Sequence, residues 1–239
     1  MVMNYEALPL YVQIAQKLKE SIQQGVYQVE EKLPSEHQLS ARFGVNRHTL
    51  RRAISLLKDE GLLRTDKGRG IFVATPPLEY PIGKRVRYNE ALEAQGRKGS
   101  YELLTMAQIS AEVEIAKKLE ISIGAPVAVI EILGFADKHP LHLTTSYFPL
   151  DLFPDILQHF EEIKSVSQLM KEVYSCDHIR RCTYVSARQV RPQDARLLRV
   201  ALNQSILLVE SINEDQKGRV IEYGVTRFRG DDMKLVLTN

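Results

Sequence analysis

Before residue 62, apolar residues recur at helical spacing in three runs, each closed by a glycine. Over 8–24, Tyr11, Ile14, Ala15, Leu18 and Ile22 share one face, and Gly25 ends the run, which predicts a first helix. Ser35, with Gln38 three residues on, forms a capping box for a second, short helix carrying Leu39 and Phe43 four apart, and Gly44 stops it. Val45 is expected to be buried by the turn. Asn46 caps a third helix that runs to about Glu60, before Gly61. On a 3.6-residue wheel Leu50, Ala53, Ile54 and Leu57 occupy one narrow face of it. The pattern then tightens to strands at 62–65 and 71–74. Residues 66–70 turn between them, with Gly68 and Gly70 free to take positive φ.

After residue 74 the pattern changes. The stretch TPPLEYPIG, residues 75–83, has three prolines in nine residues and can continue neither a helix nor a central strand. It reads as an extended linker between a domain at 1–74 and another at 84–239. Arg87–Gln95 has helical spacing and stops at Gly96. Strands dominate beyond it, and they contain a repeat. AKKLEISIGAPVAVIE at 116–131 aligns with ARLLRVALNQSILLVE at 195–210, offset by 79, with Ala116 on Ala195, Leu119 on Leu198, Val127 on Ile206 and Glu131 on Glu210. Each copy predicts a short helix, a turn at Gly124 or Asn203, and a strand. Each is preceded by a strand (103–111, 183–190) and followed by another (141–148, 220–228). The period is too long for a solenoid. The fold class is therefore α+β, with one antiparallel sheet and an internal pseudo-repeat in the C-terminal domain. Helices are expected at 151–175 between the copies, with Val166, Leu169, Met170 and Val173 on one face and Met170 in the core.

The polar side of the third helix carries the first chemical signal. Arg47, His48, Arg51, Arg52 and Ser55 lie opposite the apolar face, and no Asp or Glu occurs between Glu36 and Asp59. A merely solvated face normally mixes acids with bases. A face of Arg, His, Thr and Ser suits the negatively charged major groove, where Arg forks onto guanine edges or phosphates. Asn46 and Thr49, at the helix N-terminus, can bond phosphate where the dipole also helps. Lys67 and Arg69 place two bases at the hairpin tip. A basic hairpin beside a basic helix is the layout of a winged helix-turn-helix.

Composition sharpens this locally. The 239 residues carry a net charge of only +2, but residues 1–75 hold 11 Lys+Arg against 8 Asp+Glu, and residues 76–239 hold 21 against 22. The basic excess is N-terminal. No apolar run of membrane-spanning length occurs, the N-terminus does not read as a signal peptide, and two cysteines make no disulfide framework. A cytoplasmic protein, away from the membrane, is expected.

The string PSEHQLSARFGVNRHTLRRAISLLKDEGLL followed by GRGIFV resembles the GntR family of bacterial transcription regulators over residues 8–75. NRHTLRRAI is especially similar to regulators of phosphonate metabolism. The resemblance implies operator contacts from Arg47, Thr49 and Arg51, and from Lys67 and Gly68 at the wing tip. His37 stands where the family often has Arg. With the residues already singled out, the DNA-binding candidates are Ser35, His37, Asn46, Arg47, His48, Thr49, Arg51, Arg52, Lys67, Gly68 and Arg69. Residues 84–236 resemble the effector-sensing, chorismate-lyase-like domain of the HutC subfamily, through the A-x-x-L…G-x-P-V run at 116–127, Tyr147-Phe148-Pro149 and Glu222-Tyr223.

That second resemblance implies a small-molecule effector bound between the two copies. Alternation places Leu141, Leu143, Thr145 and Tyr147 on one face of one strand, and Glu222, Gly224 and Thr226 together on the other. The 79-residue offset makes Thr145 and Gly224 equivalent, which leaves room beside Thr145. Ser100 matches a family hydroxyl that caps an anionic group. Ser100, Thr145, Tyr147 and Glu222 are thus effector candidates. Sugar-phosphate sensors of the family carry arginines on the strand that here reads Ala128–Phe135, which has none; Arg188 and Arg87 are the possible replacements for an anionic effector.

Other chemistry is set aside. Cys176, His178 and Cys182 fit no common zinc spacing, and His139 and His142 do not converge, so no metal is expected. No nucleophile elbow, P-loop or dinucleotide fingerprint appears, and no cofactor is expected. The expectation is a homodimeric regulator, not an enzyme. It would be a repressor of phosphonate genes on an inverted-repeat operator, released by a small anionic effector. The alternatives are a regulator of sugar, amino-acid or histidine catabolism, and, in a different class, an enzyme of lyase-like fold.

Overall fold

The computed structural model describes residues 8–66, 68–75, 77–85, 88–163 and 165–237. The chain divides into two compact units. One comprises the chain to Pro77 with Arg199–Ala201; the other comprises Leu78–Leu198 and the chain from Leu202.

The first unit packs α1 (Leu10–Gln23), α2 (Glu36–Phe43) and α3 (Arg47–Asp59) around Leu18, Leu39, Leu50, Ala53 and Leu57. Leu39, Leu50 and Leu57 are wholly buried. Each contributes about 1.5–3 kcal/mol relative to exposure. The caps form as the sequence indicates. Ser35 accepts from the Gln38 amide while the Gln38 side chain accepts from the Ser35 amide, and the Asn46 side chain accepts from the Thr49 amide at 2.8 Å. Gly44 takes φ 64°, so α2 can turn sharply into α3 without a Cβ penalty. The antiparallel hairpin β1 (Leu63–Asp66) and β2 (Gly70–Val73) pairs Leu63 with Val73 and Asp66 with Gly70. A buried ionic knot fixes its base. Arg64 bonds Asp66 at 2.5 Å and Glu30 at 2.6 Å, and its guanidinium lies over Phe72. Nothing in the periodicity of the sequence announces that knot.

The second unit contains β3 (Leu78–Pro81), α4 (Tyr88–Ala94), β4 (Gly99–Ser110), α5 (Val113–Leu119), β5 (Pro126–Ala136), β6 (His139–Pro149), α6 (Ile156–Ile163), α7 (Val166–Glu172), β7 (Ile179–Gln189), α8 (Pro192–Leu197), β8 (Ser205–Glu214), β9 (Val220–Arg229) and β10 (Met233–Val236). Six strands form one antiparallel sheet in the order β4-β5-β6-β9-β8-β7. The two copies are the halves of that sheet, joined where β6 meets β9. Across the seam the offset is 80, one residue longer than between β5 and β8: the pair Thr145–Val225 maps onto itself and Thr144–Thr226 maps onto Ser146–Gly224, so a pseudo-dyad passes through the β6–β9 seam. Helices α6 and α7 close one face with Phe148, Phe153, Phe160, Leu169 and Met170. On the other face α5 seats Ala116 and Leu119 with Val127 and Tyr223.

The 75–83 segment departs from expectation. Leu78–Pro81 is a strand, paired in parallel with Met233–Val236, and Leu78 and Tyr80 are buried. Only a proline-free backbone N–H is needed at each ladder position. Leu78 supplies one to Asp232 O, and Ile82, just past the strand, supplies one to Val236 O. Pro77 precedes the ladder and Pro81 falls where no donor is required, so Leu78–Pro81 is extended, as expected, but paired and not free.

One glycine sets a packing limit in the sheet. Gly134 on β5 faces His142 on β6, and a Cβ there would lie 2.1 Å from the His142 ring. Gly134→Ala is expected to lower stability by about 1–3 kcal/mol through overpacking, measured as the urea midpoint at constant slope. An unchanged midpoint would show that the ring can move aside.

Candidate functional sites: a nucleic-acid interface and a polar cleft

On α3 the buried residues Leu50, Ala53, Ile54 and Leu57 force the opposite side outward, and Arg47, His48, Arg51, Arg52 and Ser55 are exposed. Ser35 and His37 are exposed at the start of α2, and Thr49 is half-buried. These polar groups do not all have the same freedom. Arg47 and His48 extend from the first turn. Arg51 donates Nε to Glu36 Oε2 at 2.8 Å, so α2 brings a carboxylate to a face that α3 itself leaves free of acids. That bond uses only Nε, and the Arg51 side chain is 66% exposed. Arg52 stacks its guanidinium 4.1 Å from the Tyr11 ring centroid, which ties it to α1 as a packing residue. At the wing, Gly68 takes φ 77°, and Arg69 lies over Phe72 within 3.9 Å of Asp66. Lys67 lies outside the described residues.

In the second unit a cleft of about 1090 Å³ opens on the α7 side of the sheet. Its floor is made by Ile130 and Ile132 of β5, His142, Thr144 and Ser146 of β6, Ser211 and Asn213 of β8, and Glu222, Gly224 and Thr226 of β9. Residues of α4 and α7 form its rim. A second groove, of about 510 Å³, lies on the opposite sheet face; Thr145, Tyr147, Tyr223, Val225 and Arg227 form its floor.

The expected effector set is therefore divided. Ser100 and Glu222 line the large cleft; Thr145, Tyr147 and Arg188 line the opposite groove. Arg87 lies outside the described residues. The cause is the register. β6 pairs with β9 so that Ser146 faces Gly224 and Thr145 faces Val225. Even-numbered residues of both strands share one face, and odd-numbered residues share the other. The 79-residue offset holds from β5 to β8 but becomes 80 from β6 to β9, so the equivalent of Thr145 is Val225, and Gly224 makes room beside Ser146 and not beside Thr145.

Glu222 is the electrostatic centre of the cleft. It is 5% exposed and accepts from His178 Nε2 at 2.5 Å and Asn213 Nδ2 at 2.6 Å. Burial by itself pushes its carboxyl up. The charge of His178, with hydrogen bonds from His178, Ser146 and Asn213, outweighs this and holds it below the ordinary carboxylate range. Several polar atoms of residues lining the cleft are buried without a partner: His178 Nδ1, Asn213 Oδ1 and the hydroxyls of Tyr88 and Tyr101. In a cleft of this size, such atoms are the groups a polar ligand would satisfy. Burial also pushes the Tyr88 hydroxyl up, so it remains a donor. Arg180 lines the cleft but donates to Tyr80 Oη and to the Gly83 carbonyl, each at 2.8 Å; Lys171 lines it from α7.

Sequence reasoning missed Ser146, His178 and Asn213. Ser146 joins Glu222 only through the β6–β9 register, which the chain alone does not give. Along the chain His178 stands between Cys176 and Cys182, and its partner in the fold is Glu222. Both cysteines are free thiols. Among the described residues no helix is long and apolar enough to cross a membrane.

Comparison with known proteins agrees with both units. The model for bacterial regulatory proteins of the gntR family matches residues 10–73, and the UTRA domain model matches residues 94–234. An uncharacterized HTH-type transcriptional regulator of Rhizobium meliloti is 34% identical over 227 residues, covering 95% of this chain and 93% of its own. The Escherichia coli protein named "Probable transcriptional regulator PhnF" is 32% identical over 229 residues, covering 95% and 94%. The HTH-type transcriptional repressor NagR of Bacillus subtilis is 27% identical over 233 residues, covering 94% and 92%. Among solved structures, PhnF from Mycobacterium smegmatis superposes with a TM-score of 0.68 at 24% identity, covering 95% of this chain and 98% of that one, which shows the shared fold.

The cleft floor has a pH signature. Burial, with the Arg227 charge behind it, pushes His142 down from 6.5 to about 4. The unfolded chain thus binds this proton more readily than the folded one. The stability contributed by neutral His142 is complete above about 6.5 and is lost as pH falls toward about 4. Urea midpoints should fall more steeply over that window for the wild type than for His142→Phe. Equal slopes would mean that His142 is not held neutral.

Proposed function

The chain belongs to the gntR family of bacterial regulatory proteins, with a UTRA domain following its winged helix, and is a DNA-binding transcriptional regulator; we propose that it is a homodimeric repressor whose hold on DNA is released by a small molecule. The observation that carries this is the exposed, base-rich side of α3. Arg47 and the Arg51 fork held by Glu36 read guanine edges in the major groove. Asn46, Thr49 and the α3 N-terminus meet phosphate, with Ser35, His37 and His48 alongside. The wing, through Lys67, Gly68 and Arg69, lies on the adjacent backbone. Two such readers in a dimer fit an inverted repeat with half-sites roughly 34 Å apart.

The effector belongs in the Glu222 cleft. Its unpartnered hydroxyl, imidazole and amide atoms ask for a polar ligand, and Lys171 offers a cation to an anionic one. The ligand moves the DNA equilibrium only by the difference in its affinity for the DNA-competent and released states. Likeness to the E. coli PhnF supports a role in phosphonate metabolism, in the cytoplasm where the DNA is. A second reading, control of sugar utilisation, rests on the likeness to NagR and to fructoselysine utilization operon repressors.

Arg47→Ala or Arg51→Ala should weaken binding to the regulator's own upstream DNA by about 1–3 kcal/mol, read by gel shift at fixed salt. Unchanged affinity and sequence preference would remove α3 as the reader. Glu222→Ala with Asn213→Ala should bind that DNA normally and no longer respond to inducer in a reporter strain, whereas Tyr147→Phe should still respond. The reverse pattern would move the effector to the opposite face.

A further inference from the structure

The hairpin of the first unit has a third strand that helical spacing does not announce. The Glu30 amide donates to the Val73 carbonyl, the Val73 amide to the Glu31 carbonyl, and the Leu33 amide to the Ile71 carbonyl. Residues 30–33 therefore run along the second edge of β2, with Lys32 opposite Phe72. Two features hold the segment there. Glu30 takes φ 68°, a left-handed conformation that persists only when surrounding contacts impose it. Its carboxylate accepts from Arg64 Nη2 at 2.6 Å and from the Thr75 hydroxyl. Strand alternation then sets direction. Leu33, Ile71 and Val73 are buried in the helical core, so Lys32, Gly70 and Phe72 face away from it. A Cβ on Gly70 would lie 2.8 Å from Lys32 Cε and 3.6 Å from Nζ. The Lys32 stem thus crosses Gly70 and ends in an ammonium beside the wing turn. Lys32 is exposed, and among the described residues no ion pair takes up its charge. The acids of these strands are committed elsewhere: Glu30 and Asp66 to Arg64, and Glu31 to the Gln28 amide.

We infer that Lys32 is a contact to the DNA backbone: the third strand carries its ammonium to a phosphate between the start of α2 and the wing tip. The inference rests on the reading of α3 and the wing as the DNA-facing side, and adds a residue to it. Lys32 stands three residues before Ser35, the N-cap of α2, and its stem lies over Gly70, which follows Gly68 and Arg69 at the tip. A lysine whose stem is already laid across a glycine, with its head in water, loses little further freedom when it meets an anion. A side chain at position 70 would push that stem aside. An ammonium on phosphate is a point charge and carries no base information. Its contribution is therefore to affinity and salt dependence, and not to sequence preference.

Fluorescence anisotropy of the full-length protein over a salt series, on its own upstream duplex and on an unrelated duplex, tests this. Lys32→Met keeps an apolar stem and removes the charge; Lys32→Gln removes it with a polar head. Each should weaken binding to both duplexes by the same factor. Each should also lower the slope of log K against log salt by about one for every copy of the chain bound. Lys32→Arg should restore affinity and slope together. Lys138→Met, which removes a charge from the turn between β5 and β6 of the second unit, should change neither. A slope left unchanged by Lys32→Met and Lys32→Gln, or lowered as much by Lys138→Met, would overturn the contact. A loss confined to the upstream duplex would do so too, since it would make Lys32 a base reader. A wild type with no preference for its own upstream duplex would instead remove α3 as the reader, and the Lys32 slope could still be measured on either duplex.

Discussion

The antiparallel pairing of β6 with β9 is the constraint on which the second unit depends. It joins the two copies of the repeat, sets the pseudo-dyad, and fixes which side chains share a face. Because strand side chains alternate strictly, a single register sends Ser146, Glu222 and Thr226 into one cavity and Thr145, Tyr223 and Arg227 into another. A slip of one residue would put Glu222 on the groove side, far from His178 and Asn213, and leave a buried charge without its partners. The buried pair of Glu222 and His178 therefore contributes specificity of register as well as a polar centre.

The two faces are closed differently. Large apolar residues from α6 and α7 cover one side and leave a deep cleft beside them. On the other side the short helices α5 and α8 leave a smaller, charged groove. The first arrangement suits enclosure of a small polar molecule, where unpartnered buried atoms make ligand contact worth more than in water. The first unit follows a similar logic on a smaller scale. The core pins one side of α3, and short-range contacts then sort the exposed bases, with Arg51 aimed by Glu36 and Arg52 drawn onto Tyr11.

Much of this was legible along the chain wherever short-range rules decide. The capping box at Ser35, the Asn46 cap, the glycines at the ends of the first three helices and the apolar stripe of α3 are local features, and all lie where the pattern put them. The repeat gave the halves of the sheet because each copy carries its own helix, turn and strand. What pairs across the seam was not legible, since the offset lengthens from 79 to 80 between β8 and β9, and a shift of one residue reverses every face. That is why Thr145 and Tyr147 were grouped with Glu222 although they face away from it. Contacts between distant positions were hidden for the same reason: Arg64 with Glu30, Arg52 with Tyr11, His178 with Glu222. The proline-rich 75–83 segment misled because proline excludes a central strand but not a two-stranded edge pair such as Leu78–Pro81 with Met233–Val236.

Hydroxyl-radical footprinting of the full-length protein on its own upstream DNA bears most directly on the role of α3. Two readers presented by a dimer should protect two symmetric half-sites on one side of the duplex, centred roughly one helical turn, about 34 Å, or a multiple of it apart. A single unsymmetric footprint, or uniform protection without sequence preference, would contradict paired sequence reading by α3.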